Sequence, residues 1–190
     1  NSISVLITGK TGIGKSKIAI TFSQKLLENK ESPTANEFRK TINSEKSLQE
    51  IFLCKREFDE TTKKYKTAIT IDQIRKLKEF FSLSQTQNNW RIAVIDAADE
   101  MNEASSNAIL KILEEPPHKS ILILICHNYH NLKSTILSRC QRISFRSLTE
   151  IEMNNFLEKR IDSAEERSLI LSFSEGVPAN ALSLIHFGAL

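Results

Sequence analysis

The octapeptide Gly9-Lys10-Thr11-Gly12-Ile13-Gly14-Lys15-Ser16 meets the pattern G-x-x-x-x-G-K-[ST] at every fixed position. Such a pattern holds phosphate only where a strand leads in and a helix leads out, and both flanks comply. Ser4-Val5-Leu6-Ile7-Thr8 is short, apolar and β-rich, and residues 16–30 carry Ile18, Phe22 and Leu26 at helical spacing. Gly9, Gly12 and Gly14 admit backbone angles closed to other residues, so successive N–H groups, those of Thr11 and Ile13 among them, can turn toward an anion at the positive end of the helix. In this reading Lys15 reaches the β- and γ-phosphates of ATP as a point charge, and the Ser16 hydroxyl ligates the bridging Mg²⁺. The competing reading is a glycine-rich turn with Lys15 merely solvated.

Residues 90–97 form a near-continuous apolar run with Asp96 at its carboxyl end, where open parallel sheets present ligand-facing groups. Asp96 is therefore the second candidate, holding Mg²⁺ directly or through water opposite Ser16. An aspartate that only caps the next turn is the alternative. Residues 120–126 are apolar throughout, as in a strand buried on both faces, and residues 48–53 with Cys54 read as another strand. Between these runs lie helices. Asp72 is an expected N-cap for Ile74, Leu77, Phe80 and Phe81, with polar residues 82–89 ending that helix. Asn102 caps a second, with Ala104, Ala108, Ile109, Ile112 and Leu113 inward, and Glu115 before Pro116 is pushed out of helical angles and stops it.

The remaining segments carry weaker signals. Residues 31–47 are irregular, and residues 55–66 read as a charged hairpin tip. Its Lys63, Lys64, Tyr65 and Lys66 could touch a phosphate backbone, although solvation is the ordinary fate of such a loop. A short helix at 131–137, the turn Ser138-Arg139-Cys140 and a last strand at 142–145 complete a doubly wound α/β core with helices on both sides. At Thr149 the character changes. Thr149-x-x-Glu152 is a capping box, Ile151, Phe156, Leu157 and Ile161 make a face, and helical runs follow at 164–173 and 179–186.

With 190 residues, 40% hydrophobic, the chain suffices for one core and a small second unit. Its abrupt start and end suggest a piece of a longer protein. The longest apolar run, 121–126, is far short of the roughly 20 residues that span a bilayer, so a cytoplasmic protein without membrane contact is expected. Three widely spaced cysteines without a C-x-x-C pair suit reduced thiols rather than disulfides or zinc, and a net charge of +3 leaves the partner open.

Four stretches carry a resemblance: Gly9 to Ser16; Val94-Ile95-Asp96-Ala97-Ala98-Asp99-Glu100-Met101-Asn102; the run from Asn107 through Leu113-Glu114-Glu115-Pro116-Pro117; and Thr135-Ile136-Leu137-Ser138-Arg139-Cys140. From Ser4 on, the chain resembles the delta prime family of bacterial DNA polymerase III clamp-loader subunits. The resemblance implies an α/β P-loop NTPase of the AAA+ kind, a three-layer core with a parallel sheet over residues 1–148. It further implies a helical lid over 149–190, with a collar-forming domain absent from this chain. It implies membership of a hetero-oligomer that uses ATP to set a ring-shaped sliding clamp on primed DNA, with each nucleotide lying between neighbours. Arg139 would then be an arginine finger acting in trans, a group worth roughly 10³ to 10⁵ in rate in other NTPases. A turn-capping ion pair is the plainer role for it.

The departures from the family pattern matter as much. Active motor subunits carry Asp-Glu at the second motif, whereas Ala97 follows Asp96 here, and a methyl cannot activate water. Glu100 lies beyond the strand end. Ala179 and Asn180 stand where the family's lid brings an arginine to the γ-phosphate, and Cys126 and His127 where a threonine senses it. With Cys54 alone between the first two motifs, the zinc module of many delta prime subunits has no ligands here. The expected protein binds Mg-ATP weakly or passively and works on a neighbour's nucleotide. An autonomous P-loop ATPase and a scaffold with a non-binding site are the alternatives.

Overall fold

The computed structural model describes residues 2–28, 50–87 and 90–187. Five parallel strands form its centre: β1 (Ile3–Thr8), β2 (Ile51–Lys55), β5 (Arg91–Asp96), β6 (Ser120–Cys126) and β7 (Gln141–Ser144), in the order β2-β5-β6-β1-β7. Alternation along the strands divides two cores. Ala93, Ile95, Leu122 and Leu124 point to one face with Leu6, against Ile74, Leu77 and Phe81 of α2 (Ile71–Gln87) and Ile109, Ile112 and Leu113 of α3 (Glu103–Glu114). Ile92, Val94, Ile121, Ile123 and Ile125 point to the other with Ile7, against Ala19 of α1 (Lys15–Glu28). A strand buried on both faces has no polar side to alternate with, which is why β6 is apolar from Ile121 to Cys126. Each large side chain so buried contributes roughly 1.5–3 kcal/mol.

Residues 55–66 do form a hairpin, β3 (Phe58–Asp59) against β4 (Lys64–Tyr65), with Phe58 and Tyr65 packed edge to face. Residues 31–47 lie outside the described residues. After β6 come a 3-10 turn (Tyr129–Asn131), the single helical turn α4 (Ser134–Leu137) and β7. Helices α5 (Glu150–Glu158), α6 (Ala164–Ser174) and α7 (Pro178–Phe187) gather a third core around Met153, Leu157, Ile161, Ile170 and Ala181. The Thr149 capping box is present with both of its hydrogen bonds.

Several local expectations are corrected. The stripe Ile18, Phe22 and Leu26 lies on α1 but 44–49% exposed, because the sheet is met by the face bearing Ala19 and Ser23. Asp72 is in the first turn of α2, paired with Arg75, while Gln73 accepts the Thr70 N–H that begins the helix. That helix does not stop at Ser82 but runs to Gln87. Ala104 is exposed and Ser105 takes the interior, its hydroxyl donating to the Ile69 carbonyl at 2.8 Å. In α5 Met153 joins the expected Leu157 on the inward face, and Ile151 is 76% exposed. Spacing identified the helices; contacts with other elements decided their rotation.

Candidate functional site

Strand register brings three loops to one end of the sheet. Thr8 pairs with Cys126 across β1 and β6, and Asp96 pairs with Ile125 across β5 and β6, so the segments after Thr8, Asp96 and Cys126 emerge side by side. The first is the glycine loop. Gly9, Gly12 and Gly14 all have positive φ, +149°, +83° and +97°, which bends the chain tightly enough to begin α1 at Lys15. The first turn of α1 holds no acidic residue, so its positive end is left for an anion.

Lys15 is 3% exposed, and its Nζ donates to the carbonyls of Gly9 and Lys10, both at 2.7 Å. Burial holds its pKa below the ordinary lysine value, and attraction to Asp96 and Asp99 opposes that shift. The predicted site residues Gly9, Gly12, Gly14, Lys15 and Asp96 thus meet at one place, with Thr11 exposed on the loop and Ser16 half-buried in the first turn of α1. The donor set fits a magnesium-bound polyphosphate: an ammonium, a helix N-terminus and a carboxylate converge, with a hydroxyl on the helix that begins there.

The acids around β5 are differently engaged. Asp99, to which sequence reasoning assigned no role, accepts the backbone N–H of His127 at 3.0 Å and of Asn128 at 2.9 Å, tying the 3-10 turn Ala98–Glu100 to the end of β6. Its place in Asp96-Ala97-Ala98-Asp99 hinted at a second carboxylate, but the partners are backbone groups that only the fold supplies. Glu100 is held by Arg56 at 2.8 Å. Ala97 is buried. Beside Asp96 lies a cavity of about 230 Å³ bordered by Lys55, Tyr65, Ala97, Glu100 and His127. The His127 Nδ1 is shielded from solvent, with no hydrogen-bond partner among the described residues. Burial pushes the Cys54 and Cys126 thiols up to about 12 and Cys140 to about 11, which leaves them poor nucleophiles.

Helix α7 closes over the loop. The Ala179 N–H donates to the Gly12 carbonyl at 3.1 Å, and a Cβ at position 12 would come within 2.8 Å of both Ala179 Cβ and Val177 Cγ1. Only glycine lets these segments meet. The position from which an arginine was missing in the sequence therefore carries a backbone contact instead.

Arg139 belongs to a second place, the turn between α4 and β7. Ile136, fully buried, anchors this turn. The Arg139 side chain stays 35% exposed; Nη1 donates to the Thr135 carbonyl at 2.9 Å and contacts Ser138 Oγ at 3.3 Å, and Nη2 lies 2.8 Å from Glu114 Oε1.

A family model described as "DNA polymerase III, delta subunit" matches residues 1–149. The chain belongs to that family. Subunit tau of DNA polymerase III from Bacillus subtilis (strain 168) is 33% identical over 121 residues, 60% of this chain and 22% of the relative. Subunit delta' from the same organism is 31% identical over 112 residues, 59% of this chain and 34% of the relative. Among solved structures, a DNA polymerase III gamma subunit-related protein from Thermotoga maritima superposes with a TM-score of 0.67 at 22% identity, covering 96% of this chain and 52% of its own. The chain thus spans about half or less of each of these proteins. At 22% identity the structural likeness speaks to the fold alone, an α/β core with a parallel sheet followed by a small group of helices. Among the described residues, no helix is long and apolar enough to cross a membrane.

Proposed function

We propose that the chain is a delta prime-like clamp-loader subunit, with residues 1–148 as nucleotide-binding core and 149–190 as lid. It holds Mg-ATP passively and lends Arg139 to the nucleotide of a neighbouring subunit. Gly9, Thr11, Gly12, Ile13, Gly14, Lys15 and Ser16 would hold the phosphates, and Ser16 and Asp96 the magnesium ion. A magnesium ion held by Ser16 and Asp96 would supply positive charge to neutralise the phosphates. The chain's own residues orient this group and exclude water from it, and they supply no base.

The observation that carries the reading is the state of the acids at the end of β5. Asp96 is followed by a buried methyl, Asp99 is bound to two backbone N–H groups, and Glu100 is paired with Arg56. General-base work needs a carboxylate within hydrogen-bond reach of the attacking water, and these engagements leave none assigned to it. An autonomous ATPase is disfavoured for the same reason. The guanidinium of Arg139, half-exposed on a turn anchored by Ile136, suits a role outside the chain. Such a role would serve an assembly that sets a sliding clamp on primed DNA.

A scaffold that binds no nucleotide is favoured by one observation, the α7 contact on Gly12. Calorimetric titration of the full-length chain with ATP and Mg²⁺ separates the two readings. Saturable binding that is lost on Lys15→Ala supports the passive site, and a flat trace supports the scaffold. Rapid ATP turnover by the full-length chain alone would refute the argument from the acids.

A further inference from the structure

We infer that Glu114 is the positioning residue for Arg139, fixing the plane in which its guanidinium faces a neighbouring subunit. The inference rests on the in-trans role given to Arg139 above and names the group that makes that role geometrically possible. Glu114 is the last residue of α3, so its carboxylate sits at the negative end of the helix dipole, an unfavourable place for an anion unless a cation answers it. Arg139 answers it at 2.8 Å. The position of Glu114 is set from both sides. Ile112 and Leu113 before it are buried, and Glu115, with φ −123° and ψ 70°, ends the helix ahead of Pro116.

The guanidinium is gripped from two chain segments. Thr135 and Ser138 hold Nη1 from within its own turn, while Glu114 holds Nη2 from the end of α3. Contacts on one nitrogen leave the group free to swing, and contacts on both define its plane. Two exposed pairs show the contrast: Lys63 with Glu60 and Arg75 with Asp72 join residues three apart on one segment, where geometry is already fixed. An exposed pair adds little to stability, so the worth of Glu114 is in orientation. Misplacing a reacting group by about 1 Å can lower a rate about 10²-fold.

The test uses the full-length chain assembled with its neighbouring subunits, comparing Glu114→Ala, Glu114→Gln, Arg139→Ala and the Glu114→Ala/Arg139→Ala double variant. Assembly is checked by gel filtration, and kcat and KM for ATP are read separately. Arg139→Ala is expected to lower kcat about 10³-fold. Glu114→Ala is expected to lower kcat about tenfold while leaving KM and the melting temperature where they were, with Glu114→Gln in between because it keeps one acceptor. In the Arg139→Ala background, loss of Glu114 should add nothing. A wild-type kcat for Glu114→Ala beside a slow Arg139→Ala overturns the inference and leaves the arginine reading standing. A wild-type kcat for Arg139→Ala sinks both. An equal loss from Glu114→Ala in both backgrounds means that Glu114 acts without Arg139, which also overturns the inference. If the alanine variant does not assemble, the isosteric glutamine variant decides by the same criteria.

Discussion

Two cations stand at the centre of the two sites proposed above, and the chain treats them in opposite ways. Lys15 is drawn inward, desolvated and held by carbonyls of its own loop, against which α7 packs at Gly12. Arg139 is kept outward, half-exposed on an anchored turn and restrained by one carboxylate and its own turn. The chemistry of the side chains suits this division. An ammonium is a compact charge that serves a small enclosed group, whereas a guanidinium keeps its charge and presents a flat fork to oxygen atoms arriving from elsewhere. An inward site can store a ligand, and an outward one can act only on something the chain does not itself hold.

The sharpest way to break this contrast is to remove the outward cation. Arg139→Ala should lower ATP hydrolysis by the assembled complex about 10³-fold and leave the chain's own nucleotide affinity unchanged. The reciprocal change, Lys15→Ala, should weaken Mg-ATP binding to the full-length chain about 100-fold or more, since a charge-assisted contact is lost in a buried setting. A titration of each variant, set beside steady-state hydrolysis by the assembly, gives a crossed pattern if the two places are independent. Identical phenotypes from both would mean one site, and the division drawn here would be wrong.

How much of this was legible beforehand follows from where each signal resides. The course of the loop from Gly9 to Ser16, bent at its glycines and leading into α1, was legible because it is a local pattern of backbone shape. The strands β5 and β6 were equally plain, because burial on two faces leaves an unbroken apolar run. The rotation of α1 was not: Ile18, Phe22 and Leu26 form a convincing stripe, yet Ala19 and Ser23 are small enough to let the helix lie close to the sheet, and close approach decided which face turned inward. Three site features were illegible for a common reason. The partners of Asp99, the Arg56–Glu100 pair and the seat of Ala179 on Gly12 all join segments far apart in the chain, and nothing in either segment names the other.

Gly12 sharpens the contrast from the inward side. Gly12→Val would put methyl groups where Ala179 and Val177 already stand, on a backbone with φ +83°, and should destabilise the full-length chain by about 2–3 kcal/mol. Urea unfolding measures this directly. A loss under about 0.5 kcal/mol, the size expected of an ordinary surface substitution, would show that α7 leaves the loop readily and that the inward site is open rather than closed.

The smallest effect concerns another arginine held by a glutamate, and it isolates what such a grip does to a charge. Arg146 meets Glu152 through two contacts, 2.7 and 2.9 Å, and Thr149 adds its N–H and hydroxyl to the same carboxylate. Arg146 first, then Thr149, hold Glu152 down to about 2 from its usual 4.5. A depressed folded value means that the unfolded chain takes up the proton more readily, so the stability due to this carboxylate is complete above pH 4.5 and is lost as pH falls toward 2. Glu152→Gln lacks that carboxylate at any pH. The variant should melt slightly below the parent at pH 7, and the gap should close across that acidic window when both are followed by helical circular dichroism. A gap that stays constant down to pH 2 would mean that Glu152 stabilises α5 through shape and hydrogen bonding alone. The same logic would then weaken the case that a carboxylate's charge, rather than its shape, is what holds Arg139 in place.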